Sequence, residues 1–148
     1  MFGPSTATGA VTERRTAGGT NDDLGLFAEL DRRVPPHIPI GSNSSGHGID
    51  EMTQGLATTD RMLNVHYSMP AHIVPMVEVA LGSRTSLPLA EGVCRLIQAT
   101  GKKTTLIRQY IPGLLITRLQ HALMRMWQHL QARCGSVPGQ GAARLTMA

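Results

Sequence analysis

The stretch from Val65 to Val79 holds two ionisable side chains in apolar surroundings: His66 closes the run Met62–Val65, and Glu78 interrupts the run Val74–Leu81. A carboxylate in such a run is costly to bury without a partner. An imidazole, with a reference pKa near about 6.5, accepts and returns a proton close to neutral pH. A carboxylate beside it fixes its tautomer and supports its charged form, so the two types together could perform general acid–base chemistry. By spacing alone, a histidine beside a strand is more often structural, and the pair gains weight only from its context. The run Gly41-Ser42-Asn43-Ser44-Ser45-Gly46 reads as a polar turn. The remaining histidines, His37, His47, His72, His121 and His129, show no metal-ligand spacing with carboxylates and read as surface or packing residues.

Those side chains must be positioned by the elements around them. The helical recurrence of Leu24, Phe27, Leu30 and Val34 predicts a helix capped by Asn21 and stopped at Pro35-Pro36. His37–Ile40 reads as a short strand running into the Ser-Asn turn. A weaker helix over Ile49–Ala57 contains Gly55, and strands follow at Arg61–His66 and Val74–Leu81. Ser86 can cap a helix whose stripe is Leu89, Val93, Leu96 and Ile97, with Gly101 as its stop. Lys103–Arg108 reads as a further strand. Pro112 then opens a long helix to about Arg133, with Leu115, Leu119, Leu123, Met126 and Leu130 on one side and Trp127 beside them. Its methionines, Met124 and Met126, belong to a core or interface. This order, with two adjacent strands followed by an alternating helix and strand, predicts an α/β fold: the second half of a doubly wound sheet, then a long helix.

Composition bounds the function classes. The chain has 148 residues, 41% of them apolar, enough to build a core. Its net charge of +4 comes from 14 Lys and Arg against 10 Asp and Glu, but these are spread along the chain, and aromatics make up only 3%. A base-stacking nucleic-acid surface is therefore excluded as the working hypothesis. Cys94 and Cys134 have no CxxC spacing, which argues against both a zinc site and a disulfide framework. No apolar run approaches the roughly 20 residues of a membrane span, and the N-terminal stretch lacks a signal core, so the expected location is the cytoplasm.

Three motifs, in order, resemble the 3-hydroxyacyl-CoA dehydrogenase family, over roughly Asp23 to Leu130. The family's serine–asparagine turn is matched by Ser42-Asn43-Ser44-Ser45. Its H-F-F-N-P and following L-V-E-V are matched by His66-Tyr67-Ser68-Met69-Pro70 and Met76-Val77-Glu78-Val79. Its P-G-F-x-x-N-R, which opens the C-terminal helical domain, is matched by Pro112-Gly113-Leu114-Leu115-Ile116-Thr117-Arg118. The resemblance implies an NAD-dependent oxidation of the 3-hydroxyl of an acyl-CoA or a related 3-hydroxy acid in fatty acid metabolism. It implies that His66 takes the hydroxyl proton, that Glu78 holds the imidazole, and that Ser45 hydrogen-bonds substrate and cofactor near the reacting carbon. Asn43 and Thr117 fall at positions that contact substrate or cofactor, and no metal is implied.

The chain also departs from that pattern. No strand, G-x-G-x-x-G turn and helix precede the first motif, so the expected organisation is an irregular start over 1–20, a partial NAD-binding domain over 21–110, the opening helix of the C-terminal domain over 111–133, and an irregular tail over 134–148. Met69 replaces the asparagine of H-F-F-N-P, as in some similar fungal proteins, and Thr117 replaces the longer asparagine of P-G-F-x-x-N-R. Two readings stay open: an incomplete copy of the dehydrogenase, or a non-catalytic remnant that associates through its C-terminal helix as a homodimer or with a full-length relative.

Overall fold

The structure is a computed structural model, and it describes residues 20–134. The expected irregular start and tail fall almost wholly outside that range. The elements follow in the order α1 (Thr20–Arg33), β1 (Ile40–Ser42), α2 (Ile49–Met52), a 3-10 turn (Thr59–Arg61), β2 (Met62–Tyr67), β3 (Met76–Leu81), α3 (Leu87–Ala99), β4 (Lys103–Ile107) and α4 (Leu115–Cys134). The strands form one four-stranded sheet in the order β1-β2-β3-β4. β1 pairs with β2 in parallel, β2 with β3 antiparallel, and β3 with β4 in parallel. This is the α/β sheet expected from the element order. The chain divides into two units at Leu115/Ile116, and each is described by itself.

Strand alternation sends successive side chains of β2 to opposite faces. Leu63 and Val65 join Val77, Val79 and Leu81 in a core against Ala90, Cys94 and Ile97 of α3. Met62 faces the other way, into a cluster of Phe27, Ile40, Ile49 and Met52 that Leu30 and Val34 complete. A third cluster joins Ala80, Ile107 and Leu114, with Tyr110 against it. His66, two and four residues along from Asn64 and Met62, continues the second face towards the end of the strand.

Several boundaries differ from the sequence expectation, each for a local reason. The first strand is Ile40–Ser42 rather than His37–Ile40, because Pro39 has no N–H to offer a ladder and the carbonyls of Pro35 and Ile38 accept from the Arg61 guanidinium instead. Asn21 lies inside α1 rather than capping it. α2 ends at Met52, not Ala57; Gly55 has φ +83°, a conformation that breaks the helix. Ser86 occupies the N-cap of α3, but its side chain makes no capping bond. Leu96 leaves the expected stripe and is exposed, while Ala90, Cys94 and Ile97 take the buried positions. α4 begins at Leu115 rather than Pro112, since Gly113 and Leu114 both have positive φ, 79° and 48°. A leucine tolerates that backbone only when its surroundings hold it, and Leu114 is fully buried against Ala80 and Ile107.

Candidate active site

The register of the β2–β3 ladder places His66 directly opposite Glu78. Opposed residues of an antiparallel pair share a face with their Cβ atoms about 5 Å apart, so the twelve-residue spacing with a proline-containing turn between is what brings the two together. Their side chains meet: His66 Nδ1 lies 2.9 Å from Glu78 Oε2. The Glu78 carboxylate is wholly buried, and the imidazole is 13% exposed. The second oxygen is also used, since Glu78 Oε1 accepts the backbone N–H of Leu115 at 2.7 Å. A buried carboxylate is tolerable when it is hydrogen-bonded in this way. With Nδ1–H donated to Glu78, Nε2 is the ring nitrogen left to act as a base. The loop between the strands contains a cis Met69–Pro70 bond and is braced by Lys102, whose Nζ donates to the carbonyls of Ala71 and Val74.

The turn bearing Ser45 leaves β1 where β1 runs beside β2, with Ser42 in register with Asn64. It therefore emerges at the same sheet end as His66, and ends of parallel strands are where α/β folds build sites. Ser45 is exposed. Asn43 is committed to the backbone, its Oδ1 accepting the Tyr67 N–H at 2.8 Å. Asn64, wholly buried, accepts the Ile49 N–H at 2.9 Å and donates to His47 O at 3.1 Å and Ser44 O at 3.4 Å. Tyr110 donates from its hydroxyl to Gly46 O at 3.4 Å. Burial pushes the Tyr110 phenol above its ordinary pKa, the Glu51 carboxylate adds to this, and a backbone hydrogen bond from Gly113 opposes it; the phenol thus stays a donor. Thr117 falls in the first turn of α4, within the second unit.

Asn64 and Tyr110 were not singled out by sequence reasoning. The available signal for Asn64 was a polar residue inside an apolar strand, two places before His66 and so on the same face; Tyr110 carried none. Among the described residues no group of three histidine, cysteine or carboxylate side chains could hold a metal ion, and no helix is long and apolar enough to cross a membrane.

The fold and the strand-end pair define a class. The chain belongs to the 3-hydroxyacyl-CoA dehydrogenase, NAD binding domain family, whose model matches residues 23–110. It is 33% identical over 107 residues to L-carnitine dehydrogenase of Streptomyces coelicolor, covering 72% of this chain and 34% of that protein. It is 33% identical over 100 residues to a 3-hydroxyacyl-CoA dehydrogenase of Gibberella moniliformis, covering 67% and 31%. A solved 5-formyl-3-hydroxy-2-methylpyridine 4-carboxylic acid 5-dehydrogenase, an NAD+ dependent dismutase, superposes with a TM-score of 0.73 at 25% identity, over 78% of this chain and 37% of that one. The 3-hydroxybutyryl-CoA dehydrogenase of Escherichia coli shares the fold, with a TM-score of 0.72 at 23% identity, over 80% of this chain and 25% of that one. The chain spans about a third of the length of the curated relatives it matches.

NAD is the dinucleotide of this family. Two glycines, Gly48 after the Ser45 turn and Gly82 after β3, are filled by protein, whereas Gly46 within that turn has open space beside it. A Cβ on Gly48 would lie 2.8 Å from the Tyr110 ring, and one on Gly82 would lie 2.4 Å from Asp50 and Ile49. Their missing side chains seat neighbouring residues rather than leaving backbone N–H groups open to a pyrophosphate.

Proposed function

We propose that this chain carries the proton-transfer residues of an NAD-dependent dehydrogenase acting on the 3-hydroxyl of a 3-hydroxyacyl-CoA or related 3-hydroxy acid in fatty acid metabolism, in the cytoplasm. The observation that supports this most is the 2.9 Å contact between His66 Nδ1 and a fully buried Glu78 carboxylate. That contact leaves Nε2 to accept the hydroxyl proton, while Glu78 holds the ring orientation and stabilises the imidazolium that results. Ser45 hydrogen-bonds the reacting oxygen from the neighbouring turn, and Asn43 contacts substrate or cofactor. On this reading residues 21–110 are part of the NAD-binding domain, and 111–133 open the C-terminal domain.

The test is a graft. Residues 23–110 replace the matching segment of the Streptomyces coelicolor relative, which then supplies the rest of its own chain. NADH production from L-carnitine and from 3-hydroxybutyryl-CoA is followed by absorbance. Turnover of either substrate supports the reading; a folded graft that binds NADH and turns over neither, nor any other 3-hydroxy acid tried, refutes it. The chain by itself is expected to bind no NADH at micromolar concentration in calorimetry.

A second reading, association without catalysis, is favoured by α4. Leu119, Leu123, Met126, Trp127 and Leu130 are all exposed, with Leu123 at 72%. The spacing of Leu119, Leu123, Met126 and Leu130 is 4, 3 and 4, the seam spacing of paired helices. A contiguous apolar surface of this kind usually marks an interface. A homodimer through α4 is the expected state, and replacing both Leu119 and Leu123 with Glu should shift it to monomer in sedimentation, because two carboxylates in the seam would be buried without partners. A monomer before substitution, unchanged after it, removes this reading.

A further inference from the structure

The row Met62, Asn64, His66 along one face of β2 passes from an apolar cluster to an imidazole by way of a fully buried carboxamide. In an otherwise apolar stretch of strand such a group is expensive unless its bonds are made, and each end of the Asn64 carboxamide is engaged. Its oxygen accepts from Ile49, the first residue of α2, at 2.9 Å. Its nitrogen donates to His47 O at 3.1 Å and to Ser44 O at 3.4 Å. These two carbonyls bracket Ser45-Gly46. Asn64 therefore grips the Ser45 turn from inside on both sides, from a strand position two residues before His66.

Two other contacts hold the same turn at its edges. Asn43 Oδ1 is bonded to the N–H of Tyr67, the residue after His66, and the Tyr110 ring packs on Gly48 closely enough to exclude a Cβ there. Within the turn, Ser44 N donates to Ser42 Oγ at 3.2 Å and His47 N to Ser44 Oγ at 3.2 Å. Asn43 and Tyr110 fix where the turn begins and ends. From the strand that carries the imidazole, Asn64 bonds to Ser44 and His47, which bracket Ser45-Gly46.

We propose that Asn64 is a positioning residue, which fixes Ser45 relative to His66 so that one substrate oxygen meets the serine hydroxyl and the imidazole together. The role rests on the functional reading above for its substrate, but the clamp itself does not. Asparagine suits it because the site needs an acceptor for one N–H and a donor for two carbonyls from a single short side chain. Aspartate keeps the shape and the acceptor and loses the donor, placing a carboxylate against two carbonyl oxygens.

The test uses the full chain, labelled with nitrogen-15, and the variants Asn64→Asp and Asn64→Ser. Without any ligand, backbone order parameters of Ser44–His47 in the unsubstituted chain are expected to match those of β2. In both variants they should fall while β2 and β3 amides keep theirs. With 3-hydroxybutyryl-CoA as the probe, the Ser45 amide and the His66 ring should titrate together in the unsubstituted chain. In the variants the affinity should drop about tenfold, the worth of one substrate hydrogen bond, with His66 still responding and Ser45 no longer doing so. A merely structural asparagine would weaken both responses alike. If either variant does not fold, the slow hydrogen exchange of the Ile49 amide and the turn order of the unsubstituted chain carry the test. A turn already mobile there, or equally ordered in a folded variant, overturns the clamp. A rigid turn that loosens in the variants, with neither Ser45 nor His66 responding to the probe even in the unsubstituted chain, refutes the functional reading and the substrate role of Asn64 while leaving the clamp in place.

Discussion

In a graft that turns over, His66→Ala is expected to lower kcat by about 10²–10⁴-fold, the usual worth of a positioned general base, with little change in KM. An effect confined to kcat is the signature of a group that acts in the transition state rather than in ground-state binding. Glu78→Gln is expected to approach the same loss by a different route. A carboxamide nitrogen facing Nδ1 would reverse the ring tautomer and place the proton on Nε2, the atom that has to be empty to act as a base. Stopped-flow measurement of NADH formation separates the two cases from folding defects, provided that each variant keeps the NADH affinity of the parent graft. A Glu78→Gln variant with parental kcat would show that the carboxylate serves packing alone. Glu78→Leu has a further consequence for stability. It strands the Leu115 N–H and the His66 Nδ1–H in a buried setting, and each orphaned donor costs about 1–3 kcal/mol.

What made this pair legible in the sequence was cost. A carboxylate inside Val74–Leu81 and a histidine after Met62–Val65 both violate the apolar pattern of their strands, and a turn of this length lets such violations face each other. The sheet itself was readable for the same reason: β2, β3 and β4 are apolar runs with clear punctuation. The first strand was misplaced because His37–Ile40 satisfies the apolar pattern, whereas the decisive interaction is a guanidinium from a distant position claiming the carbonyls of Pro35 and Ile38. Proline at a first helical position is the common case, so the pattern starts α4 at Pro112, three residues early; the backbone of Gly113 and Leu114 turns left-handed instead, held by the burial of Leu114. Asn64 is not legible because a single asparagine in a strand has no pattern to break except its own burial, and burial depends on α2 and the Ser45 turn folding back across it.

The other large effect expected is structural and lies away from the site. Arg61 is 4% exposed, yet its guanidinium makes five hydrogen bonds. One nitrogen serves the carbonyls of Val34, Pro35 and Ile38, at 3.2, 2.8 and 3.1 Å. The other reaches the Asp31 carbonyl at 3.0 Å and its carboxylate at 2.8 Å. The connection from α1 to β1 thus has its backbone satisfied by one side chain rather than by a ladder. Arg61→Ala is expected to cost about 3–5 kcal/mol, as for the loss of one partner of a buried ion pair, because four backbone carbonyls lose this donor and the Asp31 carboxylate keeps only the Thr58 hydroxyl. Urea unfolding reads this directly, and a loss below about 1 kcal/mol would mean that water replaces the guanidinium freely. The same pair sets an acid limit. Burial pushes the Asp31 carboxyl up, but hydrogen bonds from Thr58 and Arg61 and the charge of Arg61 outweigh it and hold the pKa below the ordinary 3.8. A carboxyl depressed in the folded state binds fewer protons there than in the unfolded chain, so its stabilisation is present above the unfolded pKa and is lost as pH falls through the folded one. The urea midpoint of the unsubstituted chain should therefore fall more steeply below about pH 4 than that of Arg61→Ala, in which the hydrogen bond and charge of Arg61 no longer depress the carboxyl and only Thr58 does; parallel curves would show that the ion pair contributes no pH-dependent stability.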